Sequence, residues 1–108
     1  MVVEWLKVRV PHEQQAAYLE ADARIWTSVL ARQPGFLEKH VWRDADDPDA
    51  VILVIHWRTL AQWKTVPGDV LADCEKRFQA ALGQAFAFLE EKTFEVMDEQ
   101  EHRPTRDL

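Results

Sequence analysis

The sequence predicts an α+β domain of the ferredoxin-like type, with two helices packed on one face of a four-stranded antiparallel sheet. Three observations predict it. A valine-rich alternating segment precedes the chain's first helical pattern. A Pro-Gly stop separates that helix from a hairpin. A second helical pattern then precedes one last alternating segment. The resulting order, strand-helix-strand-strand-helix-strand, is the split βαβ arrangement.

Each element has its local reason. Val2 to Val10 alternates and reads as a strand closed by Pro11. From His12 to about Arg32, Ala16, Leu19, Ala23, Trp26 and Leu30 recur at helical spacing, with Val29 beside them. Gln33-Pro34-Gly35 stops that helix. Phe36 to Arg43 and Ala50 to Arg58 form a hairpin around the turn Asp44 to Asp49. Thr59 and Gln62 stand at capping-box spacing and open a short helix, which Pro67-Gly68 interrupts. Asp69 is placed to cap the next helix, whose stripe is Leu71, Cys74, Phe78, Ala81 and Leu82 and whose end is Gly83. A final strand runs from about Phe88 to Met97. This domain covers residues 1–97, and residues 98–108 form a polar tail that is expected to fray.

Composition excludes several classes. The chain has 108 residues, 47% of them hydrophobic, which suits one folded domain and not a disordered chain. The 19 acidic residues against 13 basic ones give a net charge of −6, which argues against nucleic acid as a partner. Cys74 is the single cysteine, so there is no disulfide framework, and its place on a helical stripe reads as a small hydrophobe. The first ten residues read as a strand and not as a leader, and the longest apolar run, Ala50 to Ile55, is too short to cross a membrane. A cytoplasmic protein is expected.

Strand parity assigns the faces. Leu6, Val8, Val10, Leu37, Val41, Val51, Leu53, Ile55, Trp57, Phe94 and Val96 are expected under the helices. The opposite face then carries Trp5, Lys7, Arg9, Phe36, Glu38, His40, Trp42, Val54, His56, Thr93 and Glu95, among others. That face is too apolar to lie bare and too charged for a dry core, so a homodimer packed sheet to sheet is expected.

Two groups of residues carry candidate chemistry. If Val41 pairs with Leu53, Glu38 lies opposite His56 with His40 diagonal to it, about 7–8 Å away. Such a set could serve as an acid–base group, could hold a divalent metal, or could be a polar network in an interface. Glu38, His40 and His56 are the catalytic candidates, and no metal and no cofactor is expected. The second group is the five tryptophans. Trp26, Trp57 and Trp63 point into the space between helices and sheet, and Trp5 and Trp42 lie on the other face. Aromatic walls with a few polar groups suit a small flat ligand, although tryptophan also fills small cores. Tyr18, Asp22 and Glu4 could edge such a pocket. Four Asp within Asp44 to Asp49 lack the glycine and terminal glutamate of a calcium loop and read as a solvated turn.

The order of elements, Pro34-Gly35-Phe36 before the second strand and Trp57 closing the third strand resemble the antibiotic-biosynthesis-monooxygenase (ABM) superfamily. Val3-Glu4-Trp5-Leu6-Lys7, Ile25-Trp26-Thr27, Val54-Ile55-His56-Trp57 and Gln62-Trp63-Lys64 resemble one small bacterial family within it. The resemblance implies a dimeric α+β barrel. It also implies one of three activities: cofactor-independent oxygenation of aromatic or quinol substrates, haem degradation, or catalytically silent ligand binding. Haem-degrading members pair an Asn on the first strand with a Trp near the third and a helical His. Trp57 could stand for that Trp. The chain has no Asn and no His from Thr59 to Leu82, which argues against that arrangement. The expectation is a protein that binds a small aromatic ligand. A cofactor-independent monooxygenase and a ligand-free interaction domain are the alternatives.

Overall fold

The structure, a computed structural model, describes residues 1–100 and His102. Most of the expected polar tail lies outside them. Strand β1 (Val2–Arg9) leads through a 3-10 turn (His12–Gln14) into α1 (Gln15–Ala21), a π-helical stretch (Asp22–Thr27) and α2 (Ser28–Leu30). Then follow β2 (Phe36–Asp44), β3 (Asp47–Trp57), α3 (Leu60–Lys64), α4 (Gly68–Leu82) and β4 (Phe88–Glu95). The strands form one antiparallel sheet in the order β2-β3-β1-β4. This is the ferredoxin-like α+β fold that the order of elements predicts.

The punctuation residues act as their chemistry demands. Gly35 holds φ +86°, and a Cβ there would stand 2.6 Å from the Cβ of Gln62. Only glycine turns the chain there while letting α3 approach. The Thr59 hydroxyl accepts the Gln62 backbone N–H at 3.1 Å, which caps α3. Gly83 ends α4 in the left-handed region at φ +72°. The cap of α4 differs from expectation. Pro67 occupies it, and Asp69 lies inside the first turn, where its charge still favours the positive end of the helix.

The hairpin is tighter than its composition suggests. Asp44 pairs with Asp47, so the loop is Ala45-Asp46 alone and β3 begins three residues early. Asp44 and Asp47 are held by Lys7 at 2.9 Å and Arg9 at 3.6 Å, which offsets their mutual repulsion.

The first helical segment is rotated from the expected stripe. Ala16, Leu19 and Ala23 face solvent, and Gln15, Tyr18, Ala21, Asp22, Ile25 and Leu30 are buried. Two of those six are polar, and hydropathy alone does not find such a stripe. Each has partners that make its burial tolerable. Gln15 donates to the Val10 and Pro48 carbonyls at 3.0 and 2.6 Å and accepts from Arg43 Nε at 2.8 Å.

Two strand irregularities change the expected faces. In β2 the register shifts between Phe36 and Glu38, which places Phe36 opposite Trp57 under the helices and leaves Leu37 exposed. The Phe36 and Trp57 rings meet edge to face at 5.9 Å. In β4 a shift beside Lys7 and Val8 splits Phe88 from Phe94. Phe94 lies next to Trp5 on the uncovered face, their centroids 6.5 Å apart, while Thr93 and Glu95 share register with the helix-side residues Glu4 and Val2. Strict alternation puts Phe88 and Phe94 on one side; a single bulged residue undoes it.

The core joins Val8, Val10, Val51 and Leu53 of the sheet to Tyr18, Ala21, Ile25, Cys74 and Phe78 of the helices. Leu30, Ile55 and the fully buried Trp57 form a second cluster at the other end. Every residue of β4 is exposed, because the helices stop short of that edge strand.

Candidate functional site

A cavity of about 600 Å³ lies between the sheet and the helices, beside the Leu30–Ile55–Trp57 cluster. Three tryptophans wall it. Trp57 comes from the end of β3, Trp63 from α3, and Trp26 from the π-helical stretch. The wider π turn is a local departure from α geometry of the kind found at functional positions. It carries Asp22 and Trp26, which lie one turn apart on one helix face and line the same cavity.

The polar side chains in this apolar wall are few and ordered. Trp57 Nε1 donates to Glu4 Oε1 at 3.2 Å. Burial pushes the Glu4 carboxyl above the ordinary glutamate range, and the Trp57 hydrogen bond and the Lys64 and Lys39 charges oppose that only in part. Lys39 Nζ donates to Asp22 Oδ2 at 2.7 Å and to Thr27 Oγ1 at 3.0 Å. Both charged side chains of this pair are only 3% exposed. Burial still holds the Asp22 carboxyl above its usual range despite the adjacent ammonium.

The structure separates the two groups of site candidates by the thickness of the sheet. Trp26, Trp57 and Trp63 line the cavity. Glu38, His40, His56, Trp5 and Trp42 are on the uncovered face and do not line it. Within that face the expected register is found: Val41 pairs with Leu53 and Glu38 with His56. Glu38 stands 3.5 Å from His40 Nε2 and 3.7 Å from His56 Nδ1, and the two imidazole rings meet edge to face at 6.1 Å. The His56 Nδ1 atom is buried without a hydrogen bond. No group of three such side chains able to hold a metal occurs among the described residues. Trp42 is 52% exposed.

Of the pocket-edge candidates, Glu4 and Asp22 line the cavity, and Tyr18 instead fills the core against Phe78 and Phe86, each at 5.2 Å. Lys39 is the residue that sequence reasoning missed. It stands between Glu38 and His40 in what looks like a solvated charged run. The signal was its parity with Val41, which points both under the helices.

Cys74 is buried, with burial raising its thiol above the ordinary range, as befits a core residue. No described helix is long and apolar enough to cross a membrane.

The comparisons with known proteins agree on the fold. A candidate antibiotic biosynthesis monooxygenase from Deinococcus radiodurans superposes with a TM-score of 0.69 at 17% identity, covering 96% of this chain and 100% of that one. A second, from Bordetella bronchiseptica, gives 0.69 at 18% identity over 89% of this chain and 96% of that one. SnoaB, a cofactor-independent oxygenase from Streptomyces nogalater, gives 0.62 at 18% identity over 94% and 95%. No curated protein matches the sequence. The model of the antibiotic biosynthesis monooxygenase family matches residues 1–65, more than half of the chain. The chain therefore belongs to the antibiotic biosynthesis monooxygenase (ABM) family.

Proposed function

We propose that this protein binds a small, flat aromatic ligand in the cavity under its helices, and that two copies pair through their uncovered sheet faces. The observation that carries the first part is the wall of Trp26, Trp57 and Trp63 around about 600 Å³, a volume suited to a small organic molecule. Apolar area supplies the affinity, and the few polar groups, Glu4 foremost, set the orientation. Fluorescence or calorimetric titration with flat bicyclic aromatics tests it: saturable binding that Trp63→Ala weakens at least about tenfold is expected.

The second part rests on the uncovered face. Trp5 and Phe94 meet edge to face there, Trp42 stands across β3 from Trp5, and Glu38, His40 and His56 share the face. Aromatic residues mixed with a few charges are characteristic of interface cores. This assigns Glu38, His40, His56, Trp5 and Trp42 to assembly instead of to ligand contact or catalysis. A cytoplasmic setting accompanies this reading, since the lone Cys74 thiol asks for no oxidising compartment.

Cofactor-independent oxygenation is a second reading, and Glu4 favours it. A carboxyl held above its usual range inside an aromatic cavity is a proton acceptor poised for a phenol or quinol hydroxyl. The resulting electron-rich anion would react with dioxygen directly. Oxygen uptake with a quinol panel, lost in Glu4→Gln, is the expected result for that reading.

A further inference from the structure

The charge of the cavity lining says which aromatics it should take. Five ionisable side chains line it: Glu4, Asp22, Lys39, Glu75 and Glu91. Asp22 and Lys39 neutralise each other across 2.7 Å. That leaves three carboxylates with no salt-bridge partner within 4 Å among the described residues. Glu4 lies within the aromatic wall, Glu75 extends from α4, and Glu91 rises from β4 at the open edge.

The tryptophans add to that bias. An indole face attracts cations through its quadrupole, Trp most strongly among the aromatics. Trp63 already does so: Lys64 Nζ stands 4.1 Å from its ring centroid. Lys64 belongs to the shallower groove that continues the cavity past Glu4, Trp63 and Glu91. The chain thus holds a cation of its own against the aromatic wall, on a flexible stem that a ligand could displace.

We propose that this cavity selects a flat aromatic ligand that carries a positive charge, such as an N-alkylated heteroaromatic ring or a planar aromatic amine in its protonated form. The inference rests on the reading that the cavity is the ligand site, and adds the ligand's charge to it. The rings stack against Trp63 and Trp26, and the charge faces Glu4, with Glu91 and Glu75 toward the entrance. An anionic aromatic meets those three carboxylates, while the Lys39 ammonium is already engaged by Asp22 and the Lys64 ammonium lies over Trp63 in the adjoining groove.

Three bicyclic probes of matched shape test this: N-methylquinolinium, neutral 1-methylnaphthalene and anionic 1-naphthoate, each titrated by calorimetry into the full chain. The expected order is cation, neutral, anion, with the cation bound about tenfold more tightly than the neutral probe. Added salt should narrow that gap. Glu4→Gln, which keeps an acceptor for Trp57, and Glu91→Gln, at an exposed edge position, should each weaken binding of the cation more than binding of the neutral probe. Equal or tighter binding of the neutral or anionic probe overturns the charge preference while leaving the cavity as an aromatic site. Failure of all three to bind overturns both.

Discussion

Lys39 and Asp22 meet at 2.7 Å beneath the helices, each side chain almost wholly removed from solvent. The pair ties the centre of β2 to the π-helical stretch that also carries Trp26, and so fixes one wall of the cavity. Removing one partner leaves the other charge buried and uncompensated. Lys39→Met should cost about 3–5 kcal/mol in denaturant unfolding. The double variant Lys39→Met, Asp22→Leu should recover much of that loss, because it leaves no orphaned charge. Equal losses in the single and double variants would argue that the pair is not coupled.

Glu4 gives the pH dependence its sign. A carboxyl whose folded value lies above its unfolded value binds its proton more tightly in the native state. Its contribution is full below the ordinary carboxylate range and is lost as pH rises through the raised folded value. Glu4→Gln removes that decline. Unfolding of wild type and variant across pH 4 to 8 should therefore show the variant gaining relative stability as pH rises. A difference that stays flat across this range would contradict the burial of an ionisable Glu4.

Gly35 holds α3, with Trp63, against the turn into β2. Gly35→Ala must place a Cβ in the left-handed region and 2.6 Å from Gln62. A cost of at least about 1–2 kcal/mol is expected from the backbone alone. Gly68→Ala meets nothing within 4 Å and serves as the control, with a small effect expected.

Much of this architecture is legible in the residues, and the failures have physical causes. Leu6 and Val8 on β1 and Val51, Leu53, Ile55 and Trp57 on β3 share one parity because one sheet face is covered, so the helix-side face of these strands follows from parity, and the Glu38–His56 register follows from pairing Val41 with Leu53. Parity fails at Phe36 and Phe94 because one bulged residue reverses a face, and the Glu90 to Thr93 run contains no apolar residue to reveal it. The first helix misleads because Gln15 and Asp22 are buried with partners from β2 that are distant in sequence. Lys39 is hidden for the same reason. The tryptophan wall is anticipated from spacing; the carboxylates that complete it need the fold.

The uncovered face predicts assembly. Light scattering at micromolar concentration should give twice the 12.6 kDa chain mass. Trp42→Glu, at a half-exposed position, should shift the protein to monomer with little change in intrinsic fold. A wild-type monomer at that concentration would rule out the pairing.

The proposed aromatic site lies under the helices and not on the uncovered face. The most direct measurement compares the binding of one flat bicyclic aromatic by wild type, Trp63→Ala and Trp42→Ala, with calorimetry as the readout. Trp63→Ala should weaken binding at least about tenfold through lost aromatic contact, while Trp42→Ala should leave it within about twofold. Binding lost in Trp42→Ala and retained in Trp63→Ala would place the ligand on the other side of the sheet and rule out the site under the helices.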